Sequence, residues 1–176
     1  MGASGAGKTT LLNILAGRIQ KDKDNDLTGE VLFNGIPYSL SEISSFSGYV
    51  LQSDILLEFL TVKETLQFGA NLKIKGSEEQ KQQRADKLIS EFKLEGTENT
   101  LVGGIFVKGI SGGQKKRVNI ALELISDPPV LFLDEPTSGL DSYTSEIVIK
   151  KLDELAKKFN KTIIYVIHQP SSDIFN

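Results

Sequence analysis

Apolar and polar positions along the chain repeat at two spacings, and the alternation between them predicts helices and strands in turn. Thr9 to Ala16 is rich in helix formers, with Gly17 where a helix C-terminus favours glycine. Glu30 to Phe33 reads as a strand running into Asn34-Gly35, a dipeptide suited to a tight hairpin turn. Tyr49 to Leu51 is a further short strand. Thr61-Val-Lys-Glu64 has the spacing of a capping box and predicts a helix to about Leu72. Ser77 to Gln80 repeats that device, and Ala85, Leu88, Ile89 and Phe92 then fall at i, i+3, i+4 and i+7, one apolar stripe on a charged helix. Residues from about 60 to 100 therefore read as a small helical insertion. Another helix opens at Ser111, carries Val118, Ala121, Leu122 and Ile125 on one face, and stops at Asp127-Pro128-Pro129. Val130 to Leu133 is a continuous apolar run, as expected of a strand covered on both faces of a parallel sheet. Val148, Leu152, Leu155 and Ala156 mark the inner side of one more helix, and Thr162 to Ile167 reads as a second buried strand. Strand–helix–strand order of this kind favours a parallel sheet with crossover helices.

Composition narrows the class. The chain has 176 residues, enough for one domain. Hydrophobic residues at 39% and charged residues at 24% suit a packed fold and exclude a disordered chain. The longest unbroken apolar stretch, Ile163 to Ile167, is far short of the roughly 20 residues of a membrane-spanning helix. The absence of Cys removes disulfides, Cys-ligated zinc and thiol nucleophiles, and fits a reducing compartment. A net charge of −3 argues against a large nucleic-acid footprint. No signal peptide, solenoid repeat or Pro/Ser-rich linker stands out. These features describe a cytosolic α/β globule.

The chemistry concentrates in a few places. Gly2-Ala3-Ser4-Gly5-Ala6-Gly7-Lys8-Thr9 fits G-x-x-x-x-G-K-[ST], in which glycines let backbone N–H groups approach phosphate oxygens. The following helix adds the positive end of its dipole, Lys8 can neutralise β- and γ-phosphates, and the Thr9 hydroxyl can ligate Mg2+. Only Met1 precedes this loop where a strand is expected, so the chain reads as a fragment. Asp134 and Glu135 end the apolar run 130–133, at the sheet edge where ligands of open α/β folds sit. Asp134 suits Mg2+, and Glu135 suits a general base toward an attacking water. Ser111-Gly112-Gly113-Gln114 forms a second anion-receptive helix start, with Ser111 and Gln114 also spaced as a capping box. Lys115 to Arg117 reads as a solvated basic face. The lone His168 ends the apolar run 162–167 at the edge expected for Asp134, and Gln52 follows the Tyr49–Leu51 strand.

Together these residues resemble the nucleotide-binding domain of ATP-binding cassette (ABC) proteins, over nearly the whole chain. Gly2–Thr9 is similar to the Walker A loop, Gln52 to the Q-loop, Ile110–Gln114 to the signature sequence and Val130–Glu135 to Walker B. Ser138-Gly139-Leu140-Asp141 is similar to the D-loop and His168 to the H-loop. Gly48-Tyr-Val-Leu-Gln-Ser-Asp54, Glu135-Pro-Thr-Ser-Gly-Leu-Asp141 and His168-Gln-Pro-Ser-Ser172 resemble the G (white/brown) subfamily of half-transporters.

The resemblance implies an α/β P-loop NTPase with a mainly parallel sheet, flanking helices and a small helical subdomain, truncated at both ends. One partial domain would span 1–176, its ATP-binding core at about 1–55 and 128–176 and its helical, signature-bearing part at about 56–127. It implies that Gly2, Ala3, Ser4, Gly5, Ala6, Gly7, Lys8, Thr9 and Thr10 hold one ATP, and that Thr9, Gln52 and Asp134 serve Mg2+. Glu135 would polarise the attacking water, with Gln52 and His168 completing the catalytic set. Ser111, Gly112, Gly113 and Gln114 would meet ATP bound by a second nucleotide-binding domain, with Asp141 at the seam. ATP would draw the two domains together and hydrolysis release them. The segment after Gln52 would face a transmembrane domain, C-terminal to the ATPase in this subfamily, placing the domain at the cytoplasmic face of a membrane. The aromatic residue on which such domains stack adenine is not found. An alternative is a soluble ABC ATPase acting on ribosomes or DNA, marked by a second cassette, a long coiled coil or basic arms that this sequence lacks. A non-hydrolysing switch is opposed by Glu135 and His168, and a GTPase by Asn160-Lys161-Thr162-Ile163, which lacks the Asp of Asn-Lys-x-Asp.

Overall fold

A computed structural model describes residues 2–3, 5–19 and 28–167. Helix α1 (Lys8–Leu15) begins directly after the glycine loop, with Gly7 as its N-cap at φ 80°. Strands β1 (Leu32–Phe33) and β2 (Ile36–Pro37) form an antiparallel hairpin. Its turn residues Asn34 (φ 52°) and Gly35 (φ 77°) are both left-handed, as a two-residue type I′ turn requires. Helix α2 (Leu40–Phe46) follows. It was not expected from periodicity, although Ser39 and Glu42 form a complete capping box at its start. Strand β3 (Ser47–Val50) then leads to helices α3 (Val62–Lys73) and α4 (Glu78–Glu91), opened by boxes at Thr61 and Ser77 as the sequence predicts. Helix α5 (Gly112–Glu123) starts at the Ser111 box, and strand β4 (Val130–Asp134) follows. Asp141 caps helix α6 (Ser142–Phe159), Asn160 ends it at φ 51°, and strand β5 (Thr162–Val166) closes the described chain.

The main sheet has the order β3-β4-β5, with both pairings parallel. Its register places Leu133 opposite Val50 and Asp134 opposite Val166, so the C-terminal ends of the three strands lie level. Every residue of β4 is buried. Val130 and Phe132 face Leu12, Ala16 and Ile43, while Leu131 and Leu133 face the larger cluster of Val62, Leu66, Leu88, Val118 and Leu152. The period-two alternation of a strand thus divides one apolar run between two layers of cover. Each fully buried Leu or Ile in these layers contributes about 1.5–3 kcal/mol. The stripe Ala85, Leu88, Ile89 and Phe92 lies inside that larger cluster.

One expectation is corrected here. β5 is not a fully buried strand: Thr162 and Tyr165 are exposed and only Val166 is buried. Among the described residues β5 pairs with β4 alone, and its cover from α1 and α6 is partial.

Candidate functional site

The glycine loop is built for something other than packing. Gly5 (φ 79°) and Gly7 (φ 80°) sit in the left-handed region, and a Cβ added to either would meet nothing within 4 Å. Backbone conformation, not crowding, demands glycine there, and it leaves the N-terminus of α1 open with no side-chain cap. Lys8 Nζ donates to the Ala3 carbonyl at 2.8 Å, folding the ammonium back over the loop. Gly2, Ala3, Ala6 and Thr10 complete the loop and the first helical turn, while Ser4 lies outside the described residues.

Thr9 projects from the first turn of α1 and donates its hydroxyl to Asp134 Oδ1 at 3.0 Å, which ties the loop to the end of β4. Glu135 follows with φ 46°, a left-handed backbone rare for a long side chain. Its N–H donates to Val166 O on β5 at 3.1 Å, and its carboxylate accepts from Gln52 Nε2 at 2.8 Å. Gln52 stands two residues beyond β3, so neighbouring strands deliver Gln52, Asp134 and Glu135 to one sheet edge. His168 lies outside the described residues. Beneath this edge Tyr49 packs on Phe132, with the Arg18 guanidinium 4.2 Å above its ring. Burial pushes the Tyr49 phenol up to about 12, the negative Asp134 adds to the rise, and Arg18 offsets part of it.

A second group forms at the start of α5. Ser111 Oγ accepts from Gln114 N at 3.3 Å and Gln114 Oε1 from Ser111 N at 2.8 Å, closing the capping box. Gly112 is open on its outer side, whereas Gly113 packs so closely on the Thr144 methyl that a Cβ would collide with it. Thr144 donates its hydroxyl to Asp141 Oδ2 at 2.7 Å and its N–H to Oδ1 at 2.9 Å, holding the Asp141 carboxyl below its ordinary range. Ser111, Gly113, Gln114 and Asp141 are therefore neighbours. Among the described residues no hydrogen bond joins them directly to the Thr9–Asp134 and Glu135–Gln52 contacts.

The basic run after them corrects the sequence reading. Lys115, Lys116 and Arg117 are not a solvated face: each ties α5 to a different loop. Lys115 Nζ donates to Gly103 O at 2.8 Å and Arg117 Nη1 to Phe92 O at 3.2 Å. Lys116 is only 2% exposed, and its ammonium meets Gln52 O at 2.9 Å and Asp54 Oδ1 at 2.8 Å. Asn119 Nδ2 donates to the same Asp54 oxygen at 2.8 Å. Periodicity missed Lys116 and Asn119 because they lie off the stripe Val118–Ile125, on a second buried side of α5 shared with Ile120.

The donor set suits a nucleotide with a small hard cation. A hydroxyl at Thr9, one carboxylate at Asp134 and an amide oxygen at Gln52 are hard oxygen donors of the kind Mg2+ takes beside phosphates. The open, uncapped start of α1 suits the phosphates themselves.

Comparison with known proteins agrees with this chemistry. The family model described as ABC transporter matches residues 1–138. The chain is 49% identical over 178 residues to ABC transporter G family member 22 of Arabidopsis thaliana. It is 45% identical over 177 residues to the broad substrate specificity ATP-binding cassette transporter ABCG2 of Bos taurus. These alignments cover 100% and 99% of the chain but only 23% and 26% of the two relatives. Among solved structures, the dimeric post-hydrolysis ATP-binding cassette MJ0796 bound to ADP and Pi superposes with a TM-score of 0.73 at 32% identity. That superposition covers 96% of this chain and 73% of the other. The fold is that of an ABC ATPase cassette, and the chain belongs to the ABC transporter family, similar in sequence to its G members.

Proposed function

We propose that the chain is the ATP-binding and ATP-hydrolysing part of a G-type ABC transporter, working as a pair of nucleotide-binding domains beneath a transmembrane domain. The observation that carries this reading is the run of contacts Thr9–Asp134 and Glu135–Gln52 beside an open glycine loop. The loop amides of Gly2, Ala3 and Ser4 through Thr10 hold the phosphates of ATP, and Lys8 exchanges the Ala3 carbonyl for the β- and γ-phosphates. Thr9, Asp134 and Gln52 would hold Mg2+, which would supply positive charge beside the phosphates. Glu135 accepts the proton of the attacking water, and Gln52 fixes the Glu135 carboxylate in place. His168 is assigned to the γ-phosphate through the family resemblance. Ser111, Gly112, Gly113 and Gln114 offer an uncovered helix start to ATP on the second domain, with Asp141 at the seam. That the MJ0796 cassette was solved as a dimer supports the pairing.

We also assign the ATP-binding core to about 1–55 and 128–176 and the helical part to about 56–127. Among the described residues no helix is long and apolar enough to cross a membrane. Attachment to the cytoplasmic face of one rests on a transmembrane domain elsewhere in the longer protein, as the names of its relatives suggest.

The test is Glu135→Gln in the intact protein. ATP affinity is expected to stay near wild type, turnover to fall about 10²- to 10⁴-fold, and an ATP-bound dimer to accumulate on size exclusion. Turnover at the wild-type rate would remove Glu135 from the role of base.

A further inference from the structure

Gln52 is held at both ends. Its side-chain amide donates to Glu135 Oε2 at 2.8 Å, and its backbone carbonyl accepts from Lys116 Nζ at 2.9 Å. Backbone pairing does not fix this segment: among the described residues no backbone–backbone hydrogen bond holds 53–56, Gln52 is itself exposed, and the apolar anchor is Leu56 against the core. The grip on it is nevertheless strong. An ammonium 2% exposed is tolerated only when its charge is paired and its donors are used. Here Asp54 supplies the charge at 2.8 Å, and Asn119, one helical turn from Lys116, supplies a second donor to Asp54.

We propose that Lys116, Asp54 and Asn119 form a buried latch that positions Gln52 against Glu135 and so couples the Ser111–Gln114 helix start to the hydrolytic centre. Lys116 sits in the second turn of α5, two residues beyond Gln114. A shift of the helix on meeting a partner's nucleotide moves the Lys116 ammonium and, through it, the Gln52 carbonyl. Lys116 is a positioning residue and touches neither nucleotide nor water. The inference rests on the ATPase reading above and adds to it a residue that sets when the site is competent.

The test is the paired change Lys116→Met/Asp54→Leu in the intact protein. Replacing both charges with apolar groups of similar size avoids stranding either one, and such exchanges are often neutral for stability. The expected result is an unchanged melting temperature and ATP affinity, kcat lowered about tenfold, and greater mobility of a nitroxide label at exposed Ser53 (Ser53→Cys). In a Gln52→Ala background the same pair is expected to lower kcat no further, because the latch acts through Gln52. A folded double variant with kcat within about twofold of wild type overturns the proposal, as does an equal further loss in the Gln52→Ala background. If the double variant does not fold, Asn119→Ala carries the same readouts, with an expected loss of about threefold, and no change there overturns the latch. Failure of the ATPase reading shows separately, as a wild-type protein without turnover. The mobility of the label at residue 53 still tests the latch in that case, and unchanged mobility in the double variant overturns it.

Discussion

Five non-glycine residues among those described hold a positive φ: Asn34, Lys93, Asp127, Glu135 and Asn160. Asn34 in the hairpin and Asn160 at the end of α6 are residue types that accept this region readily. Glu135 is not, and such a backbone costs on the order of 1–3 kcal/mol unless its surroundings enforce it. Its N–H bond to Val166 and its carbonyl bond from Ser138 are that enforcement, and they aim the side chain at Gln52. A second residue-scale effect is electrostatic. The Tyr49 phenol is held up to about 12 against an ordinary 10.0, so the fold favours its neutral form. That contribution is complete below pH 10 and is lost as pH rises toward 12, because the unfolded chain ionises first. Wild type should therefore lose melting temperature relative to Tyr49→Phe between pH 10 and 12. Parallel pH profiles for the two proteins would show that Tyr49 carries no such linkage.

Elements are where the sequence was most readable. Four capping boxes open α2, α3, α4 and α5, each satisfying two orphan N–H groups with one Ser or Thr and one Glu or Gln. Three were recognised in advance. The fourth, Ser39 with Glu42, is hard to read because α2 has only seven residues, and among its described side chains Ile43 is the buried apolar one, too little to distinguish it from a loop. Thr61→Ala removes the acceptor for Glu64 N and should cost about 0.5–2 kcal/mol. In a unit of this size that lowers the melting temperature by roughly 2–4 °C per kcal/mol, and an unchanged melt would mean α3 is held by packing alone. The glycine loop and the acidic pair were legible for a different reason: their residue types have few other uses in that order. Lys116 was illegible because a buried lysine and a solvated one look alike until the facing loop, fifty and more residues earlier in the chain, is folded against it.

At the scale of the whole molecule, several large apolar side chains lie open to solvent. Phe59 is 76% exposed, Ile105 and Phe106 are almost fully exposed, and Ile55, Leu57, Phe68 and Leu72 are also open to solvent. An open cleft of about 380 Å3 is lined by Ile105 together with Asp54, Leu56, Glu58 and Lys115. We propose that this cleft and the exposed Ile55, Leu57 and Phe59 in the stretch of chain that contributes Asp54, Leu56 and Glu58 to it meet the proposed transmembrane domain, since exposed apolar groups mark interaction sites. Phe59→Asp in the intact protein should keep ATP affinity and the dimer while cutting transport-coupled turnover at least about fivefold. Turnover and transport both at wild-type level would place that contact elsewhere. The left-handed backbone at Glu135 also shapes how this protein can change over generations. Asparagine or glycine would sit there with less strain. If Glu135 is the base proposed above, selection for heat resistance alone would drift toward them and yield a sturdier clamp that grips its fuel without burning it.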